Sequence, residues 1–251
     1  VTGSATPGSV TVEVLSLAQA QSRSSQSFSS DSEALGLSGE IVINGKAITI
    51  AASDNLVDIQ GAINAANAGV QAQLLRVSET DNRLLITSNT AGSEGFDLRD
   101  ASSTDVLQSL GFTSSGSSIA NPVTGGAQSD HLTSATTAVG TLLGLASSPS
   151  GSVTVGNQSV TIDLVTMSLS DIKTAIDTAG PAGVTTSIVT EEDENGSNVF
   201  RLQVDGTTTF LDSNNVLEAI GILQGASDVS AAVAEVQTAS VANTTNGSDP
   251  I

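Results

Sequence analysis

Twelve residues from Gly39 to Ile50 and twelve from Gly151 to Ile162 follow one pattern of turn and apolar positions, and what comes after them repeats as well. Leu56, Asp58, Ile59, Ala62 and Ile63 return as Leu169, Asp171, Ile172, Ala175 and Ile176, Gly69 and Val70 as Gly183 and Val184, and Arg83 and Leu84 as Arg201 and Leu202. The offset stays between 112 and 118 residues. Self-similarity at a domain-sized period points to copies of one structural unit, and 251 residues are enough for two such units, each with its own core.

Each unit reads as α+β. Ile41 and Ile43 alternate with polar residues, Asn44-Gly45 follows, and Ile48 and Ile50 resume the alternation. An Asn-Gly pair between two period-two runs predicts a hairpin with a type I′ turn, because both residues tolerate positive φ. Gly156-Asn157 between Val153/Val155 and Val160/Ile162 predicts the same turn in the second unit. Next, Leu56, Ile59, Ile63 and Ala66, and again Leu169, Ile172, Ile176 and Ala179, fall on one face of a helix. Asn55 and Ser168 stand at the N-caps with Asp58 and Asp171 three residues on, a capping-box variant. Gly69 and the Gly180–Gly183 stretch are expected to end these helices.

Val70, Ala72 and Leu74, like Val184, Thr186 and Ile188, then predict a half-buried strand that enters a second hairpin, with Leu84/Ile86 and Leu202/Val204 facing inward. Between those strands the second unit has four more residues than the first, in the acidic run Glu191–Glu194 and its flanks, which accounts for the widening offset. Short amphipathic turns of helix, 105–112 and 215–222, close the units. The polar, Gly-rich stretch from Thr113 to Asp130 reads as a linker, so the expected division is a first unit at 1–125, a second at 126–226, and a linker or the start of a third unit at 227–251. Gly247 to Ile251 echoes Gln128 to Leu132. The alternating run Ser9–Leu17 is expected to form one further strand, without counterpart in the second unit. A start at Val1 and a finish on Asn246–Ile251 suggest a piece of a longer protein.

Chemistry is scarce. Seven Lys plus Arg against 26 Asp plus Glu give a formal charge of -19, a field that repels phosphate backbones and anionic lipid, so neither nucleic acid nor membrane is an expected partner. No apolar run reaches the roughly 18 residues of a membrane-spanning helix, and no signal-peptide pattern opens the chain. Without Cys, Trp or Tyr and with His131 as the single histidine, thiolate chemistry, disulfides and most zinc designs are unavailable. No Ser lies in a nucleophile motif. We therefore expect no enzyme, with no catalytic, cofactor-binding or metal-binding residue and no cofactor.

Several features invite chemistry and have plainer explanations. Glu191–Glu194 clusters oxygen ligands as a calcium loop would, yet it lacks EF-hand spacing and falls at a hairpin tip. His131 lies in the polar stretch, where a lone histidine is expected to be incidental. Arg83 and Arg201 share a repeat position and are expected on the solvent face of their hairpins, paired with nearby carboxylates. Asn157, Asn195, Asn243 and Asn246 match N-x-[ST].

The run from Ser9 to Leu17, read on through Ala18–Gln21 to Phe28, resembles the opening strand of bacterial flagellar filament-capping proteins, the hook-associated protein 2 family. Gly39 through Ile63-Asn64, Gly69-Val70 and Arg83-Leu84 to Ser88 is similar to the "IN" motif of flagellar hook and filament proteins. The resemblance covers residues 9 to 95, and Ile176-Asp177 stands for Ile-Asn in a looser second copy. It implies a non-enzymatic, extracellular protein at the distal end of the flagellum, exported by the flagellar secretion system without a cleaved signal peptide. Its head domains would form the plate of a homo-oligomeric cap beneath which exported flagellin folds and inserts. Some family members also adhere to host mucin or glycans. The coiled-coil legs of the family have no counterpart here, since the chain shows no sustained heptads.

Two other classes compete with a cap. One is the outer domain of another axial flagellar protein, a flagellin or a hook-filament junction protein. The other is a secreted carbohydrate-binding adhesin, which without Trp or Tyr faces would rely on polar contacts. A hydrolase would need paired carboxylates in a cleft, and the acids fall mostly in expected turns and caps.

Overall fold

The computed structural model describes residues 18–92, 95–114, 116–147 and 149–225. Both the Ser9–Leu17 strand and the 227–251 segment expected from the sequence lie outside these residues. Fifteen strands and five helices are described, and every strand pair is antiparallel, an α+β arrangement.

In the N-terminal half, β1 (Ala20–Ser24), β4 (Val70–Ser78) and β5 (Asp81–Ala91) form a sheet in the order β1-β5-β4, and β2 (Gly39–Ile43), β3 (Lys46–Ile50) and β6 (Leu98–Asp100) a second in the order β3-β2-β6. The β2–β3 turn is the expected one, with Asn44 at φ 46° and Gly45 at 73°. Helix α1 (Leu56–Ala65) buries Leu56, Ile59 and Ile63 between the sheets, and α2 (Val106–Leu110) closes the core with Val106, Leu107 and Leu110. The α1 capping box forms in full: Asn55 Oδ1 accepts from the Val57 and Asp58 amides while Asp58 accepts from the Asn55 amide. The helix ends earlier than Gly69, since Ala66 is the C-cap and Asn67 turns into positive φ at 51°.

The second half opens where a linker is expected. β7 (Ser118–Ile119), β8 (Pro122–Val123) and β9 (Gly126–Gln128) lie in the 113–130 stretch, so a division at 125/126 would cut the β8–β9 hairpin. These strands are too short to show a period of their own. Their partners set them, β9 pairing with β13 (Asn198–Asp205) and β7 with β15 (Leu223–Gln224). Helix α3 (Val139–Leu143) follows, then the hairpin of β10 (Ser150–Val155) and β11 (Gln158–Asp163). Gly156 has φ 61° but Asn157 is not among the positive-φ residues, which is the pattern of a type II′ turn rather than the expected type I′. Helix α4 (Leu169–Ala179) carries the Ser168–Asp171 capping box, buries Leu169, Ile172 and Ile176, and ends on Gly180 at φ 62°. β12 (Thr185–Glu192) pairs along its length with β13, β14 (Phe210–Leu211) joins β10, and α5 (Val216–Ala219) precedes β15.

The segment before each hairpin system is fastened the same way. Ser25 N–H donates to Leu84 O and Ser25 Oγ accepts from Leu84 N–H; Ser129 does the same with Leu202. One residue later, Gln26 N–H donates to Leu110 O and Asp130 N–H to Ile220 O. Two apolar clusters result, one within residues 41–110 and one within residues 119–223 that also takes in Val42 and Ala101 from the first half. The halves therefore meet through shared core as well as through polar groups.

Candidate functional site at the joint between the two cores

Where the halves meet, carboxylates of one half hold backbone amides of the other. Glu40 on β2, 1% exposed, takes Ala146 N–H at 2.8 Å and Thr49 Oγ1 at 3.2 Å on one oxygen, and Ser147 N–H at 2.9 Å and Ser147 Oγ at 3.1 Å on the other. Glu218 on α5, 2% exposed, reaches the opposite way and accepts from the Asp100 amide at 3.0 Å. Asp100, 1% exposed, accepts from Leu107 N–H at 3.1 Å and so caps α2. Asn215 donates to Ser102 O at 2.7 Å and to Asp105 Oδ1 at 2.9 Å across the same joint.

Burial of a carboxylate without a cation bonded to it disfavours its charge. Desolvation pushes the Asp100 carboxyl up to about 7 and that of Glu218 up to about 8, with Asp105 adding to the first rise and Asp100 to the second, while the amides that bond them pull the other way. Asp212, buried against the start of α5, is raised for the same reason.

A cleft of about 300 Å³ opens beside the joint, lined among others by Asn44, Asp97, Arg99, Asn121, Asp130 and His131. Arg99 is buried and lies 3.3 Å from Asp130 Oδ1 and 3.4 Å from Asp97 Oδ1. Asn121 ties Asp130 at 2.7 Å to Gly221 O at 2.9 Å.

The arginines at the repeated position differ. Arg83 pairs with Asp81 at 2.8 Å near the surface, as expected, and holds that carboxyl below its usual range. Arg201 is not on a solvent face: its side chain is 14% exposed and donates to Ser129 O at 2.7 Å. It also lies 3.0 Å from His131 Nδ1, whose ring contacts Glu191 through Nε2 at 2.5 Å. A guanidinium can only donate, so the ring carries its proton on Nε2 and gives it to Glu191. That bond, with Arg201 nearby, holds the Glu191 carboxyl below its ordinary value. His131 is thus a clip between β12, β13 and the segment that follows β9, not an incidental residue. Nothing in the sequence pairs these positions, since 60 residues separate His131 from Glu191.

Glu192, Asp193 and Glu194 form the exposed hairpin tip, where the Asp193 carboxylate accepts from the Asn195 and Ser197 amides. Among the described residues no three His, Asp or Glu side chains gather as a metal site, and no helix is long and apolar enough to cross a membrane. The Glu40 and Glu218 carboxylates accept from backbone amides of the opposite half and so fasten the two halves together.

The class of protein that the sequence resembles is that of the structural proteins of the flagellar axis. More particularly, the chain is similar to flagellar hook-associated protein 2: it is 34% identical over 141 residues to that of Escherichia coli O157:H7, a match covering 52% of this chain and 30% of the relative. The protein of E. coli K12 is 33% identical over the same length. The match thus spans under a third of the curated relatives' length. No protein-family model matches. Among solved structures, the D2-D3 domains of the flagellar cap protein FliD from Serratia marcescens align at 30% identity over 39% of this chain and 56% of theirs, with a TM-score of 0.33. Those from E. coli align at 31% over 37% and 52%, also at 0.33. Superpositions at that level carry no weight, and the likeness rests on aligned sequence. The resemblance to the hook-associated protein 2 family is borne out by the curated relatives, which carry that name.

Proposed function

We propose that the chain forms outer head units of a flagellar filament cap. It would stand outside the cell at the distal end of the filament, as part of a homo-oligomer beneath which exported flagellin folds and inserts, and would arrive through the flagellar secretion system without a cleaved signal peptide. The observation that carries this reading is the 34% identity over 141 residues to flagellar hook-associated protein 2.

The two units are read as copies of one ancestral domain. Paired capping boxes, at Asn55/Asp58 and Ser168/Asp171, support this. So do the matched serine bonds of Ser25 and Ser129, which lie 104 residues apart in front of each unit. On that reading β9 is the counterpart of β1, and the division between the units falls in residues 113–117, ahead of β7.

Immunogold labelling of filament tips with antibody to this chain tests the function. Gold confined to the distal tip is the expected result. Gold along the shaft or at the hook junction would assign the chain to another axial protein. Adhesion is the accessory role, supported by the polar lining of the cleft at Asn44, Asp97, Asn121 and Asp130. A glycan array with the purified chain tests it, and absence of binding at 100 µM removes that role alone.

A further inference from the structure

β4 is the outer strand of the β1-β5-β4 sheet, so one of its sides has no strand beside it. A row of unpaired N–H and C=O groups on such a side is a template for another chain. In an antiparallel pair these groups alternate in direction, and those of Ala72 point away from β5. The side chain that meets them is Asn64, the asparagine of the Ile63-Asn64 motif. Ala72 N–H donates to Asn64 Oδ1 at 2.8 Å and Asn64 Nδ2 donates to Ala72 O at 2.9 Å, with Gln60 Nε2 adding a bond to the same carbonyl at 3.2 Å. A primary amide holds a donor and an acceptor side by side, as does the peptide group of a neighbouring strand. Asn64 lies in the last turn of α1, whose buried Ile59 and Ile63 fix it over β4.

Further along the strand the outward groups of Leu74 and Arg76 have no such cover, and Leu75 and Val77 are 47% and 59% exposed beside them. The second unit is built differently. Asp177, in the place of Asn64, is an acceptor only; it takes the Thr186 hydroxyl and the Lys173 ammonium. β12, the corresponding outer strand, ends instead on Glu191 and Glu192, and charge guards an edge as effectively as cover does.

We propose that Asn64 is a surrogate strand: its amide occupies the pairing position beside Ala72 and keeps the β4 edge from taking up the β4 strand of a second copy. Residues 70–78 form one of the longest described strands with an open side, and a strand that pairs with its own copy across a two-fold axis needs no complementary partner. The chain's charge of -19 opposes the approach of two copies at low salt, so the amide matters most where that repulsion is screened.

The test uses the whole chain in 0.5 M NaCl. Sedimentation of Asn64→Ala should show an apparent mass rising with concentration toward twice that of the monomer, while the unaltered chain stays monomeric. Exchange of the Ala72 amide should speed up at least tenfold in dilute solution. Adding Val77→Lys, a charge on the bare edge, should return Asn64→Ala to the monomer. Ile63→Val, a core change one residue away, should leave the mass unchanged. A monomeric Asn64→Ala, or equal association of Ile63→Val, would overturn the proposal, the second because it would report a loosened fold rather than an opened edge. Should Asn64→Ala not fold, Asn64→Leu, which keeps the size but loses both donor and acceptor, carries the same expectations.

Discussion

A methyl group at Gly221 would sit 2.1 Å from the Asp130 Cγ, and one at Gly111 would sit 2.7 Å from the Gln26 backbone nitrogen. Both residues also have positive φ, 76° and 83°, at the ends of α5 and α2. Glycine is required twice over, by conformation and by the close passage of the Gln26 and Asp130 segments. Gly36 separates the two demands, with φ 69° and nothing within 4 Å of an added Cβ. We expect Gly36→Ala to cost about 1 kcal/mol, and Gly111→Ala and Gly221→Ala clearly more; urea unfolding of the three variants compares them. At this scale the sequence is only half legible. It marks Arg83 and Arg201 as equivalent, but the burial of Arg201 depends on Ser129 and His131, which are neighbours only in space.

Helix caps are where the sequence speaks most directly, because donor, acceptor and helix start lie within four residues. The boxes at Asn55/Asp58 and Ser168/Asp171 form as read, and in the second the Ser168 hydroxyl and amide hold the Asp171 carboxyl below its usual range. Asn55→Ala and Ser168→Ala should each cost about 1 kcal/mol, seen as a shift in urea midpoint without a change in slope; no shift would mean that packing alone fixes the helix starts. Hairpins are legible for the same local reason, down to Asn44-Gly45. β7, β8 and β9 are not. Two or three residues carry no period, and the strand conformation of β9 and β7 is imposed by β13 and β15, roughly 80 to 100 residues later in the chain.

At the scale of the whole molecule, the joint acids set an unusual response to pH. Asp100 and Glu218 are raised in the fold to about 7 and about 8 from ordinary carboxyl values. Between those limits the folded chain holds protons that the unfolded chain has lost, so stability is full below the unfolded values and falls as pH rises through 7 and 8. Asp105 adds to the rise at Asp100, and Arg99 opposes the rise at Glu218. Urea unfolding at pH 5 and pH 8 should show a loss on the order of 6 kcal/mol at the higher pH, and Glu218→Gln should remove about half of it. Stability that does not fall over this range would mean the acids are ionised within the fold. The lowered carboxyls, Asp81, Asp171, Asp177 and Glu191, act in the acid range below this window. A second expectation follows from the charge of -19: light scattering in low salt should give a monomer at micromolar concentration. None of the joint could be read in advance, since each of its acids looks in sequence like any surface carboxylate.

Glu40 and its amide partners are separated by 106 and 107 positions in the chain. Hairpins and capped helices can assemble within each half from neighbours alone, whereas this carboxylate finds its donors only after both halves have taken shape. We expect docking of the halves to be a late event in folding, so that the chain gains its local pieces first and its rigidity last.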